Sequence, residues 1–124
     1  MTIGPCRVMV LEDEFFIADE IAYILETAGF AVVGPVATVA EALGTLADGP
    51  VDAAVIDANL RGESSVAVAA ALRREGIPFV VCSGYRVEDL IPTFGSVTLV
   101  AKPVHSGRLV TALKSSLEAS EGKV

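Results

Sequence analysis

The segment Ala53-Ala54-Val55-Ile56-Asp57 decides the fold class, because it is an unbroken apolar run that ends in a carboxylate. Apolar runs of this length are typical of parallel strands that are buried on both faces of a sheet. Four other segments have a similar character and are also predicted to be strands: Arg7–Glu12, Ala31–Gly34, Phe79–Ser83 and Thr98–Ala101. The sequence therefore predicts five short strands.

Helical periodicity separates these strands, and glycine or proline follows several of the periodic segments. Five helices are predicted: through Ile17–Ala28 before Gly29, from Thr38 to near Gly49-Pro50, over Ser65–Glu75, over Val87–Ile91, and from about Gly107 to Ala119. In the second helix Thr38 and Glu41 have the spacing of a capping box. We expect Val39, Leu43 and Leu46 of that helix to face inward.

Strands and helices thus alternate as (βα)5, which predicts an α/β fold with a doubly wound, five-stranded parallel sheet. Five strands are too few to close an eight-stranded barrel. The length of 124 residues fits one domain, and we expect its core to span about residues 6–119 with no output domain.

Composition and charge narrow the classes of partner. The net charge is −7 and no cluster of Lys or Arg offsets it, so nucleic acid is a poor candidate ligand. No export signal is recognisable, and no apolar run approaches the roughly 20 residues of a membrane helix. We expect a cytoplasmic protein in which Cys6 and Cys82 are buried thiols and not a disulfide.

Polar residues follow four of the five predicted strands. They are Glu12-Asp13, Asp57, Ser83 and Lys102, and ligands of open α/β sheets bind at this carboxyl edge. Each residue alone has an ordinary explanation, such as a turn, an acidic helix start or a solvated lysine. Together, three carboxylates beside one lysine favour a hard cation, and Mg²⁺ suits oxygen ligands that also meet a phosphoryl group.

These residues resemble the receiver domain of two-component response regulators over nearly the whole chain, with a flavodoxin-like fold. The resemblance implies that Asp57 is the phosphoacceptor, that Asp13 and Asp57 ligate Mg²⁺, and that Glu12 helps through water. It implies a third protein ligand in the backbone carbonyl of Asn59. A histidine kinase or phosphotransfer protein would be the phosphodonor, and the chain would catalyse only its own phosphorylation and hydrolysis.

The same resemblance assigns the remaining residues of the edge. Lys102 would contact the phosphoryl group, the Lys102–Pro103 peptide bond would be cis, and the Ser83 hydroxyl would donate to the transferred oxygens. Signalling would then proceed by contact with a downstream protein, without nucleic acid or membrane.

A narrower resemblance is to the FATGUY receivers, on the stretches Asp57-Ala58-Asn59-Leu60-Arg61-Gly62-Glu63 and Phe79-Val80-Val81-Cys82-Ser83-Gly84-Tyr85. That subgroup typically has Thr where Ser83 stands. Most receivers carry a switch aromatic three residues before the lysine, but this position is Leu99. We therefore expect Ser83, Gly84 and Tyr85 to form the switch, against the alternative that Tyr85 only packs at the domain edge.

The sequence argues against three other functions. Haloacid-dehalogenase-like phosphatases need Asp-x-Asp after the first strand, whereas this chain has Glu12-Asp13-Glu14. A flavodoxin-like FMN site needs a Ser/Thr/Gly-rich phosphate loop there, whereas three acidic residues would repel the phosphate. A degenerate receiver would lack residues of the phosphorylation chemistry, all of which are present.

The only histidine, His105, is interpreted as a helix-entry residue without a catalytic role.

Overall fold

The computed structural model of the chain describes residues 4–121. Its strands, in chain order, are β1 (Arg7–Leu11), β2 (Ala31–Val36), β3 (Ala53–Asp57), β4 (Asn59–Leu60), β5 (Glu63–Ser64), β6 (Phe79–Ser83) and β7 (Leu99–Ala101). Its helices are α1 (Phe15–Thr27), α2 (Val39–Asp48), α3 (Val66–Arg74), α4 (Val87–Phe94) and α5 (Ser106–Glu121). No helix in this part of the chain is long and apolar enough to span a membrane.

Five parallel strands form one sheet in the order β2-β1-β3-β6-β7, which confirms the predicted doubly wound α/β fold. β1 and β3 lie in the interior, and the chain winds outward from β1 in one direction and then, from β3, in the other. The carboxyl ends of β1 and β3 are therefore neighbours.

Two apolar cores cover the two faces of the sheet, because side chains alternate along each strand. Met9, Leu11 and Ile56 point to the face covered by α2, α3 and α4. Val8, Val10 and Val55 point to the face covered by α1 and α5, where Ile21 and Leu113 are buried. The sheet is thus held rigidly between helices, which fixes the positions of its strand ends.

Several predicted boundaries were wrong. β2 continues through Pro35 to Val36; it is an edge strand whose pairing with β1 is irregular between Val33 and Val36, and proline is tolerated in such places. β1 ends at Leu11 and not at Glu12, and β7 begins at Leu99 and not at Thr98. α4 extends to Phe94 with Pro92 inside it, although a proline usually limits a helix.

The inward face of α2 was also partly mispredicted. Ala42 is the buried residue, whereas Leu43 is 37% exposed. The predicted cap is present at Thr38, whose hydroxyl accepts the Glu41 N–H at 3.1 Å, but the Glu41 carboxylate accepts from Ala37 instead. The prediction of buried thiols holds for Cys82, while Cys6 is only half-buried.

Candidate functional site

The parallel register brings the predicted polar residues to one edge of the sheet. Leu11 pairs with Ile56, so Glu12 and Asp57 leave their strands side by side. Ser83 pairs with Ala101, and the Lys102 N–H donates to the Ser83 carbonyl at 2.9 Å. The carboxyl ends of four strands therefore meet around one small volume.

Lys102 links two carboxylates in that volume. Its Nζ lies 2.7 Å from Glu12 Oε1 and 3.2 Å from Asp57 Oδ2. Glu12 is 3% exposed and Asp57 is 7% exposed, so both acids depend on this ammonium group for charge compensation. The following peptide bond, Lys102–Pro103, is cis.

Asp13 completes a group of three acids. Oxygen atoms of Glu12, Asp13 and Asp57 all lie within 4.8 Å of one another. Carboxylates gathered this closely could hold one cation, either directly or through its bound water. An all-oxygen donor set with excess negative charge fits a hard divalent cation.

Comparison with known proteins accords with this geometry. Residues 8–114 match the response regulator receiver domain family. The chain belongs to that family. Among curated protein sequences, none matches the chain at a significant level.

Several solved structures are similar to this receiver domain over almost its whole length. The solution structure of SdrG from Sphingomonas melonis Fr1 is 36% identical, covers 94% of this chain and 99% of its own, and has a TM-score of 0.80. The BeF3-activated conformation of SdrG, from Pseudomonas melonis Fr1, is 34% identical with the same coverage and a TM-score of 0.78. A response regulator receiver protein from Sinorhizobium medicae WSM419 is 23% identical over 96% of this chain and 99% of its own, with a TM-score of 0.86.

Burial and ion pairing shift two pKa values in the receiver site. Burial raises the pKa of Glu12 above its ordinary value, and the hydrogen bond from Lys102 only partly offsets this. Burial alone would lower the pKa of Lys102, but the hydrogen bond to Glu12 and the charge of Asp57 outweigh it and raise that pKa. The lysine is therefore firmly cationic, and Glu12 is costly to ionise without a cation beside it.

The residues predicted to form the switch lie at the end of β6, on the β7 side of Asp57. Ser83 is buried, and its hydroxyl oxygen accepts the backbone N–H of Tyr85 at 2.9 Å. The Tyr85 side chain is 56% exposed, whereas Leu99 on β7 packs against the core. The serine hydroxyl thus bonds to its own loop and not to the acids.

Asn59 and the segment after β3 form a short hairpin, β4–β5, that was not predicted. The Asn59 backbone N–H donates to Asp57 Oδ1 at 3.2 Å, and its side-chain oxygen accepts the Gly62 N–H at 2.9 Å. This arrangement holds the backbone of Asn59 close to Asp57.

Sequence reasoning missed two residues of the site. The Ser65 hydroxyl is completely buried and donates to the Asp57 backbone carbonyl at 2.6 Å, which fixes the end of β3. Arg61, at the hairpin turn, pairs with Asp13 through Nε and Oδ2 at 3.1 Å. The Arg61-Gly62 pair followed by polar residues was an available turn signal, but the sequence alone does not reveal which acid the arginine meets.

Proposed function

We propose that this receiver domain is a phosphoacceptor of two-component signalling, in which Asp57 takes a phosphoryl group from a phosphohistidine. The donor would be a histidine kinase or a phosphotransfer protein. The observation that carries this proposal is the position of Lys102 Nζ between Glu12 and Asp57, beside a third acid, at the carboxyl ends of the central strands.

The transfer would break the bond between phosphorus and the donor imidazole nitrogen and form a bond from phosphorus to an Asp57 carboxylate oxygen. The imidazole then takes up a proton from solvent. Lys102 needs little movement to contact the transferred oxygens, because its Nζ is already 3.2 Å from Asp57 Oδ2. A fixed cation at this place stabilises negative charge that develops during transfer.

Asp13 and Asp57 would hold Mg²⁺ directly, Glu12 would act through water, and the Asn59 backbone carbonyl would be a further ligand. When bound, the ion would neutralise the acids and polarise the phosphoryl oxygens. The close packing of the three carboxylates supports this assignment, since like charges at this distance need compensation.

Ser83, Gly84 and Tyr85 would form the switch, as in the FATGUY subgroup. The Ser83 hydroxyl would leave the Tyr85 N–H and donate to a phosphoryl oxygen, and Gly84 would allow the loop to rearrange. Tyr85 is exposed and directly precedes the α4 cap at Arg86, so its movement would change the surface of α4.

The partners would be proteins in the cytoplasm. A net charge of −7 opposes binding to nucleic acid, and within residues 4–121 every helix from α1 to α5 packs against the sheet, so none of these five is free to act as a recognition helix. The chain would act as one domain, with a core of about residues 6–119, and would catalyse only its own phosphorylation and hydrolysis. Weak or absent binding to duplex DNA at physiological salt is the expected result.

Beryllofluoride tests this function, and its use has a precedent in the BeF3-activated conformation of the similar protein SdrG. With Mg²⁺ present, it should shift the backbone amide signals of Asp57, Ser83 and Lys102. Asp57→Asn should abolish these shifts, whereas Asp52→Asn, at the other end of β3, should not. Equal shifts in both variants would exclude Asp57 as the acceptor.

A further inference from the structure

The turn that carries Arg61 has an unusual backbone for an arginine. Asn59 pairs with Ser64 and Leu60 with Glu63, so Arg61 and Gly62 form a two-residue hairpin turn. Both have positive φ, 52° at Arg61 and 90° at Gly62, which is the pattern of a type I′ turn. Asn, Asp or Gly normally occupies the first position, because other side chains strain there. An arginine in this conformation suggests a role for its side chain.

The side chain of Arg61 reaches back across the site to Asp13. Its Nε lies 3.1 Å from Asp13 Oδ2, and Asp13 is only 11% exposed although Arg61 is 80% exposed. Asn59 stiffens the turn by accepting the Gly62 N–H. A hydrogen-bonded hairpin thus presents a solvent-accessible cation to an acid that lies inside the site.

Two cations are shared unevenly among the three acids of the site. Lys102 contacts Glu12 and Asp57, and within residues 4–121 the cationic partner of Asp13 is Arg61. Asp13 is also one of the acids whose oxygens converge with those of Glu12 and Asp57. The Asp13 carboxylate is therefore needed twice. It pairs with the Arg61 guanidinium, and it would also contact any cation bound among the three acids.

We propose that Arg61 is a tethered counter-ion that pairs with the Asp13 carboxylate in the metal-free protein, and that this ion pair must break when Mg²⁺ binds. This inference rests on the proposed function, in which Asp13 is a metal ligand. Arg61 would lower the affinity for Mg²⁺ and keep the acidic site compensated when the metal is absent. An ion pair with one exposed partner contributes modestly, which corresponds to about a two- to fivefold effect on the dissociation constant.

The test compares Mg²⁺ binding in three proteins by NMR titration of backbone amides. Arg61→Asn removes the charge and suits the left-handed turn position, so the hairpin should persist. Arg74→Gln removes one exposed charge on α3 and serves as the matched control. We expect Arg61→Asn to bind Mg²⁺ about two- to fivefold more tightly than the wild type, and Arg74→Gln to bind it equally well.

A second readout separates direct competition from a general charge effect. In the wild type, the Arg61 side-chain Nε–Hε signal should shift with the same Mg²⁺ midpoint as the Asp57 amide. The proposal is overturned if this signal does not move at saturation, or if Arg61→Asn binds Mg²⁺ equally or more weakly. Absence of Mg²⁺ binding in the wild type would overturn both this inference and the metal site. Normal Mg²⁺ competition without phosphorylation of Asp57 would overturn the proposed function alone.

Discussion

At the scale of single residues, the site depends on one ammonium group that compensates two buried acids. Glu12 and Asp57 lie beside each other, and Lys102 Nζ is within 3.2 Å of both. Burial raises the pKa of Glu12 even with the lysine present. Without the lysine, the two buried carboxylates should repel each other at neutral pH with no positive charge to compensate them.

Lys102→Met should lower the free energy of unfolding by about 1–3 kcal/mol near pH 7, since it leaves buried acids without their partner. The loss should shrink as the pH falls toward about 4, because the raised pKa lets Glu12 take up a proton. Lys114→Met, on the exposed side of α5, is the control. Urea unfolding at several pH values measures the difference, and an equal loss at both ends of the range would contradict this explanation.

Cys82 should make the stability depend on alkaline pH. Burial raises the pKa of its thiol from 9.0 to about 12, so the folded chain holds this proton more tightly than the unfolded chain. The thiol's contribution is complete below pH 9 and falls as the pH rises toward 12. Between about pH 8 and pH 10 the wild type should lose roughly 1.4 kcal/mol more than Cys82→Ala. Parallel stability curves for the two proteins would exclude this linkage.

Sequence reasoning located some of these residues and not others. Glu12, Asp57, Ser83 and Lys102 were accessible because each follows a predicted strand, and parallel strands share one carboxyl edge. Arg61 and Ser65 were not, since their contacts depend on how the hairpin folds back after β3. Local sequence does not specify that path.

At the scale of elements, the strongly patterned segments were predictable and the marginal ones were not. β3 was predicted with its correct bounds because a strand buried along its whole length is written as an unbroken apolar run, and all five residues of β3 are buried. The two-residue strands β4 and β5 carry too short a pattern to detect. The predicted α4 ended at Ile91, just before Pro92. In the structure the helix continues, because Leu90 and Phe94 are buried in the core on either side of that proline.

The loop between β6 and α4 should transmit phosphorylation to α4. Tyr85→Ala should leave phosphorylation of Asp57 nearly intact while reducing the beryllofluoride response of the α4 amides, because the exposed ring is repositioned with the loop. Tyr23→Ala removes a tyrosine ring on α1 from a residue that is even more exposed than Tyr85, and it should leave the response unchanged. If α4 shifts on activation are the same in Tyr85→Ala and the wild type, Tyr85 only packs at the domain edge.

At the scale of the whole molecule, two apolar cores clamp a sheet whose central strand ends carry like charges. The fold was predictable because alternating strands and helices admit few arrangements, and right-handed crossovers select one of them. The acids gathered at one edge of the sheet repel one another, and this repulsion destabilises the folded chain. Folding and metal binding should therefore be coupled.

Mg²⁺ should stabilise the domain. At ten times the dissociation constant, linkage adds about 1.4 kcal/mol, which raises the melting temperature by several degrees. Asp13→Ala should remove this increase, since it deletes a ligand and part of the repulsion, whereas Asp48→Ala at the exposed end of α2 should retain it. Thermal unfolding in Mg²⁺ and in EDTA measures the effect, and identical melting temperatures for the wild type would refute the metal site.

The most direct test of the central claim is the mass of the protein after incubation with acetyl phosphate and Mg²⁺. We predict the addition of one phosphoryl group, mapped to Asp57, that is lost in EDTA and absent in Asp57→Ala. Asp52→Ala should be labelled like the wild type. Full labelling of Asp57→Ala, by acetyl phosphate or by a phosphorylated histidine kinase, would contradict the account.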